Sequence, residues 1–428
     1  MPPAAHIEIF REGRWLPAAR LEPLGDDLAR VDYLPDYIFS DDPWPISLAL
    51  PVGFAPPRLD GPLRAPAFLY DLVPQGRGRR LLLQLLGRAD DDRLVLPLLL
   101  AGAFNPVGAL RVDQAVDFYH AQAQLNPPAP GAEEGFTRRQ LGERSDNVLE
   151  HLSTHALLAS GSTGVQGVSP KYLLTEDAEG RLHADMALPD ARARRHWLVK
   201  GPRNASAEDR MVLRNEAAYL RVAAACGIRV HAVDQVLHQD NLLHLPRFDR
   251  LVGPDGVQRL HQESLASLAG LAGFGLPCRL NQLLEGLRRH ATDPQAETLE
   301  FVRRDVLNQA LRNTDNHARN HAVQRLPDGR VRLTPLYDFA PMFLDPELVP
   351  RSTHWANAAG RRLHAWSEVL DTLAVADDER EELRKALRAF APVVGQLPET
   401  MQAQGVEAAV IEACRASIDS QAKQLEAL

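Results

Sequence analysis

The chain has 428 residues, 45% of them hydrophobic, and its 48 basic and 56 acidic residues leave a net charge of -8. That length exceeds what one hydrophobic core organises, so two or three domains are expected. The acidic balance argues against broad affinity for nucleic acid or anionic membranes, and the scattered Cys226, Cys278 and Cys414 form no CxxC pair for zinc or a disulfide framework.

The start, MPPAAHIEIFREGRW, is polar and charged, so no signal peptide is expected and the chain reads as a cytoplasmic protein with no membrane association. Residues 5–115 alternate short apolar runs with Pro and Gly. Residues 7–10 and 46–50 read as strands, the second bounded by Pro45 and Pro51. Residues 69–86 read as helix interrupted at Pro74, Gly76 and Gly78. The apolar run 94–103 contains Pro97 and is too short to cross a bilayer. A strand at 108–112 closes this block, which we take as an N-terminal β-rich subdomain over residues 1–120. The Pro-, Ala- and Gly-rich string at 122–135 marks a linker, 121–135.

A second block, 136–250, carries an expected helix at 147–158 and strands at 171–175 and 196–200. Residues 209–225 predict a helix, because Met211, Leu213, Ala217, Leu220 and Ala224 recur at helical spacing and Gly227 follows as a cap. Two further strands are expected at 230–237 and 242–246. This block reads as a small lobe: a sheet with one helix. The third block, 251–428, is mostly helical, with amphipathic helices expected at 298–312, 366–390 and 406–428. The whole predicts an α+β fold, and with Asp315 and Asp338 in the helical block its order is that of a bilobal protein-kinase-like fold preceded by the β-rich subdomain.

The most informative string is NTDNHARNH (313–321), followed by Tyr337-Asp338-Phe339. Asp315 and Asn320 have the Asp-x-x-x-x-Asn spacing of a kinase catalytic loop, and Asp338 supplies a second carboxylate. Phosphoryl transfer needs this set: one carboxylate for the attacking hydroxyl, an amide and a carboxylate for magnesium. The same residues also make an ordinary polar turn, since Asp and Asn are common in loops.

Other kinase parts occur in order. Gly161, Gly164 and Gly167 precede a strand, and glycines let backbone N–H groups approach phosphate oxygens. A flexible surface loop would have the same composition. Lys171 ends this segment. Lys200 ends the next strand and stands where a phosphate-holding lysine is wanted, although strands often end in a solvated lysine. Glu216, 16 positions later, stands where a helical partner for that lysine is wanted. His317 and His321, four apart, are conceivable metal ligands, but no HExxH pattern accompanies them. His317 reads better as a brace of the catalytic loop.

These residues resemble HipA-type serine/threonine kinases, the toxins of bacterial toxin–antitoxin pairs, over nearly the whole chain. The strings PISLALP (45–51), FLYDLVP (68–74) and NPVGALR (105–111) look like the N-terminal subdomain of that family. GVQGVSPK (164–171), NEAAYL (215–220), RFDR (247–250), HQE (261–263), NTDNHARN (313–320) and LYDF (336–339) match its core in order. The resemblance implies that Asp315 orients the acceptor hydroxyl, Asn320 and Asp338 ligate Mg2+, and Lys200 holds ATP phosphates. Leu245, Arg247 and Phe248 would form the hinge beside adenine, where Pro246 removes one N–H contact. A Gly-rich-loop serine would be the autophosphorylation site, with Ser162 and Ser169 as candidates, because this chain has extra residues between Gln166 and Lys171. A helix-turn-helix, HipB-like antitoxin is the implied partner, with DNA reached only through it, and an aminoacyl-tRNA synthetase is the implied kind of substrate. Two other readings stay open: a catalytically weak kinase-like module that works by binding the antitoxin, and a small-molecule kinase.

Overall fold

The computed structural model describes residues 4–54, 64–125, 134–143, 170–202 and 206–428. The expected helix at 147–158 and the Gly-rich segment with Ser162, Gly164, Gly167 and Ser169 lie outside the described residues. The chain divides into two compact units that are not consecutive in sequence. The first comprises Met1–Gly201, His244–Phe274 and Arg325–Pro327; the second comprises Pro202–Leu243, Gly275–Gln324 and Asp328–Leu428.

The first unit opens with an antiparallel sheet of strands β1 (Ala5–Arg11), β2 (Arg14–Pro23), β3 (Ala29–Tyr33) and β4 (Leu110–Val112), in the order β3-β2-β1-β4. Alternation builds it: Ala5, Ile7 and Ile9 are buried while His6 and Glu8 are half-buried. The β1–β2 register shifts between Ile7 and Glu8, a bulge beside Pro17, where a residue without an N–H is tolerated. The helices Val95–Gly102 and Asp113–Leu125 complete a core with Leu96, Leu99, Phe104 and Tyr119. Residues 121–125 of the expected linker continue the second of these helices, because no Pro or Gly interrupts DQAVDFYHAQAQL.

Residues 46–50 are not the strand expected. They form a tight turn, with Leu50 N donating to Ser47 O at 3.0 Å. Side chains satisfy their backbone where a neighbouring strand would otherwise be needed. Tyr33 Oη accepts from Ile46 N at 3.0 Å and donates to Leu50 O at 2.7 Å. Glu263 accepts from Leu48 N and from Ser47 Oγ, both at 2.7 Å, and His261 Nε2 lies 3.0 Å from Ile46 O.

A second sheet of this unit holds β5 (Lys171–Glu176), β6 (Leu182–Ala184) and β7 (Arg195–Lys200), with β5 central and antiparallel to both. Residues 230–237 also depart from expectation. A 3-10 turn, Val233–Gln235, replaces most of that strand, and only β8 (Leu237–Gln239) is extended. Asp240 and Asn241, both left-handed at φ 50° and 59°, turn the chain into β9 (Leu242–Pro246). The hairpin β10 (Arg250–Gly253) and β11 (Gly256–Arg259) follows in the first unit.

The second unit is mostly helical. The helix Ala207–Ala225 starts on Ser206, whose side chain accepts from Asp209 N at 3.1 Å, and ends before Gly227 at φ 80°. The helix Pro294–Ala310 is capped by Asp293 and buries Phe301, Val302, Val306 and Leu307 completely. The single helix expected over 366–390 is two, Trp366–Thr372 and Asp377–Arg388. Asp377, Asp378 and Glu379 favour a new N-terminus. Arg380 then satisfies the first helix's orphaned carbonyls, reaching Leu370 O at 3.2 Å and Leu373 O at 3.3 Å. The helix Ala408–Glu426 ends the unit. Among the described residues, no helix is long and apolar enough to cross a membrane.

Candidate functional site

In the second unit the helix Pro294–Ala310 ends with Arg312 in the left-handed region at φ 55°, which releases the chain into the 313–317 loop. A 3-10 turn, Ala318–Asn320, and the strand Ala322–Arg325 follow. Hydrogen bonds give this loop one shape. Asn320 N donates to His317 O at 2.9 Å, and Asn320 Nδ2 donates to Asp315 O at 2.7 Å. Asp315 and Asn320 are therefore held together, with the Asp315 carboxylate about a quarter exposed and Asn320 buried.

The Asn320 amide decides what this loop can do. Its nitrogen is committed to a carbonyl, so the other atom is the acceptor Oδ1. Among the described residues Oδ1 is buried with no hydrogen-bond partner, and so are Asn313 Oδ1 and Thr314 Oγ1. Buried polar atoms are almost always paired, so orphans concentrated on one polar loop mark a place where a ligand completes the set. An unpaired amide acceptor oxygen is the donor type a hard cation such as magnesium takes.

Asp338 is brought to the same loop. Asn313 Nδ2 donates to Asn308 Oδ1 at 2.9 Å and to Asp338 O at 3.3 Å. Asp338 itself is left-handed at φ 50°, a sparsely populated conformation for a non-glycine residue. Its neighbours hold it there: Tyr337 Oη donates to Arg319 O at 2.8 Å, and Phe339 is fully buried against Tyr219, with ring centroids 5.5 Å apart. Tyr219 lies one turn beyond Glu216, so the helix that carries the buried Glu216 packs on the residue after Asp338. Asp315, Asn320, Asp338 and Glu216 all belong to this unit.

Sequence reading missed the support beneath the loop. Asp305, 1% exposed, accepts from Asn316 Nδ2 at 3.1 Å and Trp355 Nε1 at 2.8 Å, and pairs with Arg351. Asn316 Oδ1 lies 2.6 Å from His321 Nε2, and Thr353 Oγ1 donates to Asn316 O. Because Asn316 Nδ2 is committed to Asp305, His321 must donate from Nε2. Burial, then the electrostatic influence of Arg304, His317 and Arg351, holds the His321 pKa down to about 3, so it is neutral. His321 packs on Phe301 with centroids 5.1 Å apart, which makes it a brace. His317 Nε2 stands 3.9 Å from Asp315 Oδ1. Among the described residues no group of three or more His, Cys, Asp and Glu side chains could hold a metal ion. The one signal in sequence was a midhelix Asp at 305, one turn after the apolar Phe301 and Val302.

The remaining predicted residues belong to the first unit. Lys171 and Lys200 are direct cross-strand partners in the β5–β7 register, Lys200 buried and Lys171 half-buried. Leu245 and Phe248 are half-buried. Arg247 is turned into the protein, its side chain 3% exposed, donating to Asp185 Oδ2 at 2.7 Å and to Asp249 at 2.6 and 2.9 Å. Its guanidinium thus belongs to a buried ionic network. Arg250 donates to Asp249 Oδ2 at 2.5 Å and to Gly108 O at 2.7 Å. Asn105 Nδ2 and Thr175 Oγ1 each reach Asp185 at 2.6 Å. Gly108, at φ 99°, donates its N–H to Asp249 Oδ2 at 2.9 Å, and a Cβ there would stand 3.3 Å from Gln262 N. Burial alone would raise both carboxyls, but Arg247 and Arg250 outweigh it and keep them ionised. The strings NPVGALR and RFDR thus interlock.

The family described as the HipA-like C-terminal domain matches residues 163–401. The chain belongs to the HipA family. Among solved structures it is similar to the toxin–antitoxin complex of HipA, HipB and operator DNA from Shewanella oneidensis MR-1. That likeness has a TM-score of 0.65 and 17% identity, over 97% of this chain and 96% of that one. The α+β, kinase-like fold expected from sequence is therefore the fold observed. The proinflammatory kinase CtkA of Helicobacter pylori is a more distant likeness, with a TM-score of 0.38 and 12% identity over 55% of this chain and 88% of that one. No curated protein matches by sequence.

Proposed function

We propose that this chain is an ATP- and magnesium-dependent serine/threonine protein kinase that acts as the toxin of a toxin–antitoxin pair. The observation that carries the reading is the Asn320 amide, whose nitrogen holds the Asp315 carbonyl while its oxygen is buried without a partner among the described residues. When bound, magnesium–ATP supplies the phosphoryl group and the charge neutralisation its transfer requires. Asn320 Oδ1 and the Asp338 carboxylate hold the metal. Asp315 orients the acceptor hydroxyl and accepts its proton. In the first unit, Lys171 and Lys200 hold phosphate oxygens. The backbone at Leu245 and Phe248 borders adenine, while the Arg247 side chain stays in its ionic network. Ser162 and Ser169 are the candidate autophosphorylation sites.

The Shewanella HipA is in complex with HipB and operator DNA. By family membership we assign this chain a helix-turn-helix antitoxin of the HipB kind, which would carry most DNA contact for a chain of net charge -8. The substrate would be a component of translation such as an aminoacyl-tRNA synthetase. The test is incubation of the purified chain with labelled ATP, magnesium and a cell lysate, with phosphopeptides mapped. Asp315→Gln should lower the rate by roughly 10²–10⁴, and chelation of magnesium should abolish it. Transfer that survives in Asp315→Gln, or label found only on small molecules, overturns the reading.

A further inference from the structure

A cleft of about 610 Å³ in the first unit lies outside everything assigned above. The end of β1, Trp44, the β10–β11 hairpin and Arg325 line it. Its floor is a Trp44 ring with two arginines over it: the Arg11 guanidinium carbon is 4.3 Å from the ring centroid and that of Arg325 is 4.9 Å away.

Trp44 is built in. Its N–H donates to Tyr37 Oη at 3.1 Å, Tyr37 Oη donates back to Trp44 O at 2.7 Å, and the indole N–H donates to Asp42 Oδ2 at 3.1 Å. Asp42 also takes Arg11, at 3.4 Å through Oδ2. Arg325 is in no such ion pair among the described residues, and Asp42 acts on it only through longer-range attraction. Among the described residues no hydrogen bond or ion pair reaches its guanidinium, which is half-buried and borders the cleft. Burial and then repulsion from Arg11 act against its charge. A third arginine, Arg259, is spent on Asn105 and Asp190. Of the two acidic residues bordering the cleft, Glu12 and Asp255, neither pairs with Arg325. The other wall is apolar: Phe10, Val257 and Leu260, with Leu251 and Val252 more than a third exposed at its edge.

We propose that this cleft binds a small organic anion, its carboxylate or phosphate head held by Arg325 and Arg11 against the Trp44 edge and its apolar body laid on Phe10, Leu251 and Val252. The planar guanidinium fork fits either head group in a bidentate manner, and the cleft has the volume of a small-molecule site. The exposed pair Leu251 and Val252 gains cover from such an occupant.

The test is titration of the full chain, followed by calorimetry, with phenyl phosphate, benzoate and inorganic phosphate as anions and benzyl alcohol as the neutral control. We expect phenyl phosphate or benzoate to bind more tightly than inorganic phosphate, and benzyl alcohol not to bind. Arg325→Ala should weaken binding at least tenfold, and Arg325→Lys by less. Trp44→Phe and Arg11→Gln should each weaken it too, which keeps the test valid if Arg325→Ala does not fold. Binding should persist in Lys200→Ala, separating this cleft from the proposed nucleotide site. The proposal falls if no aromatic anion binds at millimolar concentration, if benzyl alcohol binds equally well, or if Arg325→Ala, Trp44→Phe and Arg11→Gln all bind like the parent.

Discussion

Replacing Asn320 with Leu, which has the same number of side-chain heavy atoms and the same branching, separates the two roles of its amide. Three terms decide the stability change. The Nδ2 bond to Asp315 O, 2.7 Å long, is lost, costing about 1 kcal/mol. The Asp315 carbonyl then lacks that donor, which costs about 1–2 kcal/mol more if no water reaches it. Against these, a buried Oδ1 with no partner disappears, returning about 1–3 kcal/mol. The sum lies between about 1 kcal/mol of stabilisation and about 2 kcal/mol of destabilisation, small for a buried polar residue. Phosphoryl transfer should instead fall by roughly 10²–10³, the loss associated with one preorganised electrostatic contact. Urea unfolding followed by tryptophan fluorescence measures the first quantity, since Trp355 and Trp366 are buried in the second unit. ATP-dependent labelling measures the second. Destabilisation beyond about 3 kcal/mol would mean that Oδ1 is paired within the protein, and labelling at the parental rate would remove Asn320 from the metal site.

Asp249→Ala should destabilise the first unit by about 3–5 kcal/mol, because Arg247 and Arg250 lose their shared carboxylate in a site closed to water; a shift below 1 kcal/mol in denaturant unfolding would contradict this. Glu263 should make the fold less stable as pH rises. Burial, against hydrogen bonds from Ser267, Ser47 and Leu48, raises its pKa from 4.5 to about 7. The unfolded chain releases this proton first, so the stabilisation is full below pH about 4.5 and lost as pH rises through about 7. Glu263→Gln should flatten that slope in unfolding curves taken at several pH values. His321 acts in the opposite direction: with its pKa lowered from 6.5 to about 3, its stabilisation is present above pH about 6.5 and drains as pH falls toward 3. His321→Gln should remove that acid sensitivity, read as the pH dependence of the second unit's unfolding midpoint.

Local signals were legible in the sequence. The alternation in β1, the helical spacing of Leu213, Ala217 and Leu220, and the caps at Ser206 and Gly227 each arise from residues within one turn or strand of one another. The polar string 313–320 was legible for the same reason: its chemistry and its spacing lie in one loop. The family strings could be recognised, but the contacts that explain several of them could not be read from spacing.

Tertiary structure decided the rest, because the deciding partners are far apart along the chain. Residues 46–50 carry strand-forming residues, yet Tyr33, His261 and Glu263 claim their backbone and side chains and make them a turn. That the Arg247 side chain is held by Asp185, 62 positions away, could not be read from its place in the expected hinge. Asp305 is one polar residue in a helix by sequence, and only Asn316, Arg351 and Trp355 make it the support of the proposed catalytic loop. The Trp44 cleft has no sequence signature, since Arg11, Trp44, Leu251 and Arg325 meet only in the folded first unit. Composition and periodicity determined which elements form; burial of charge, which depends on who faces whom, determined what those elements hold in place.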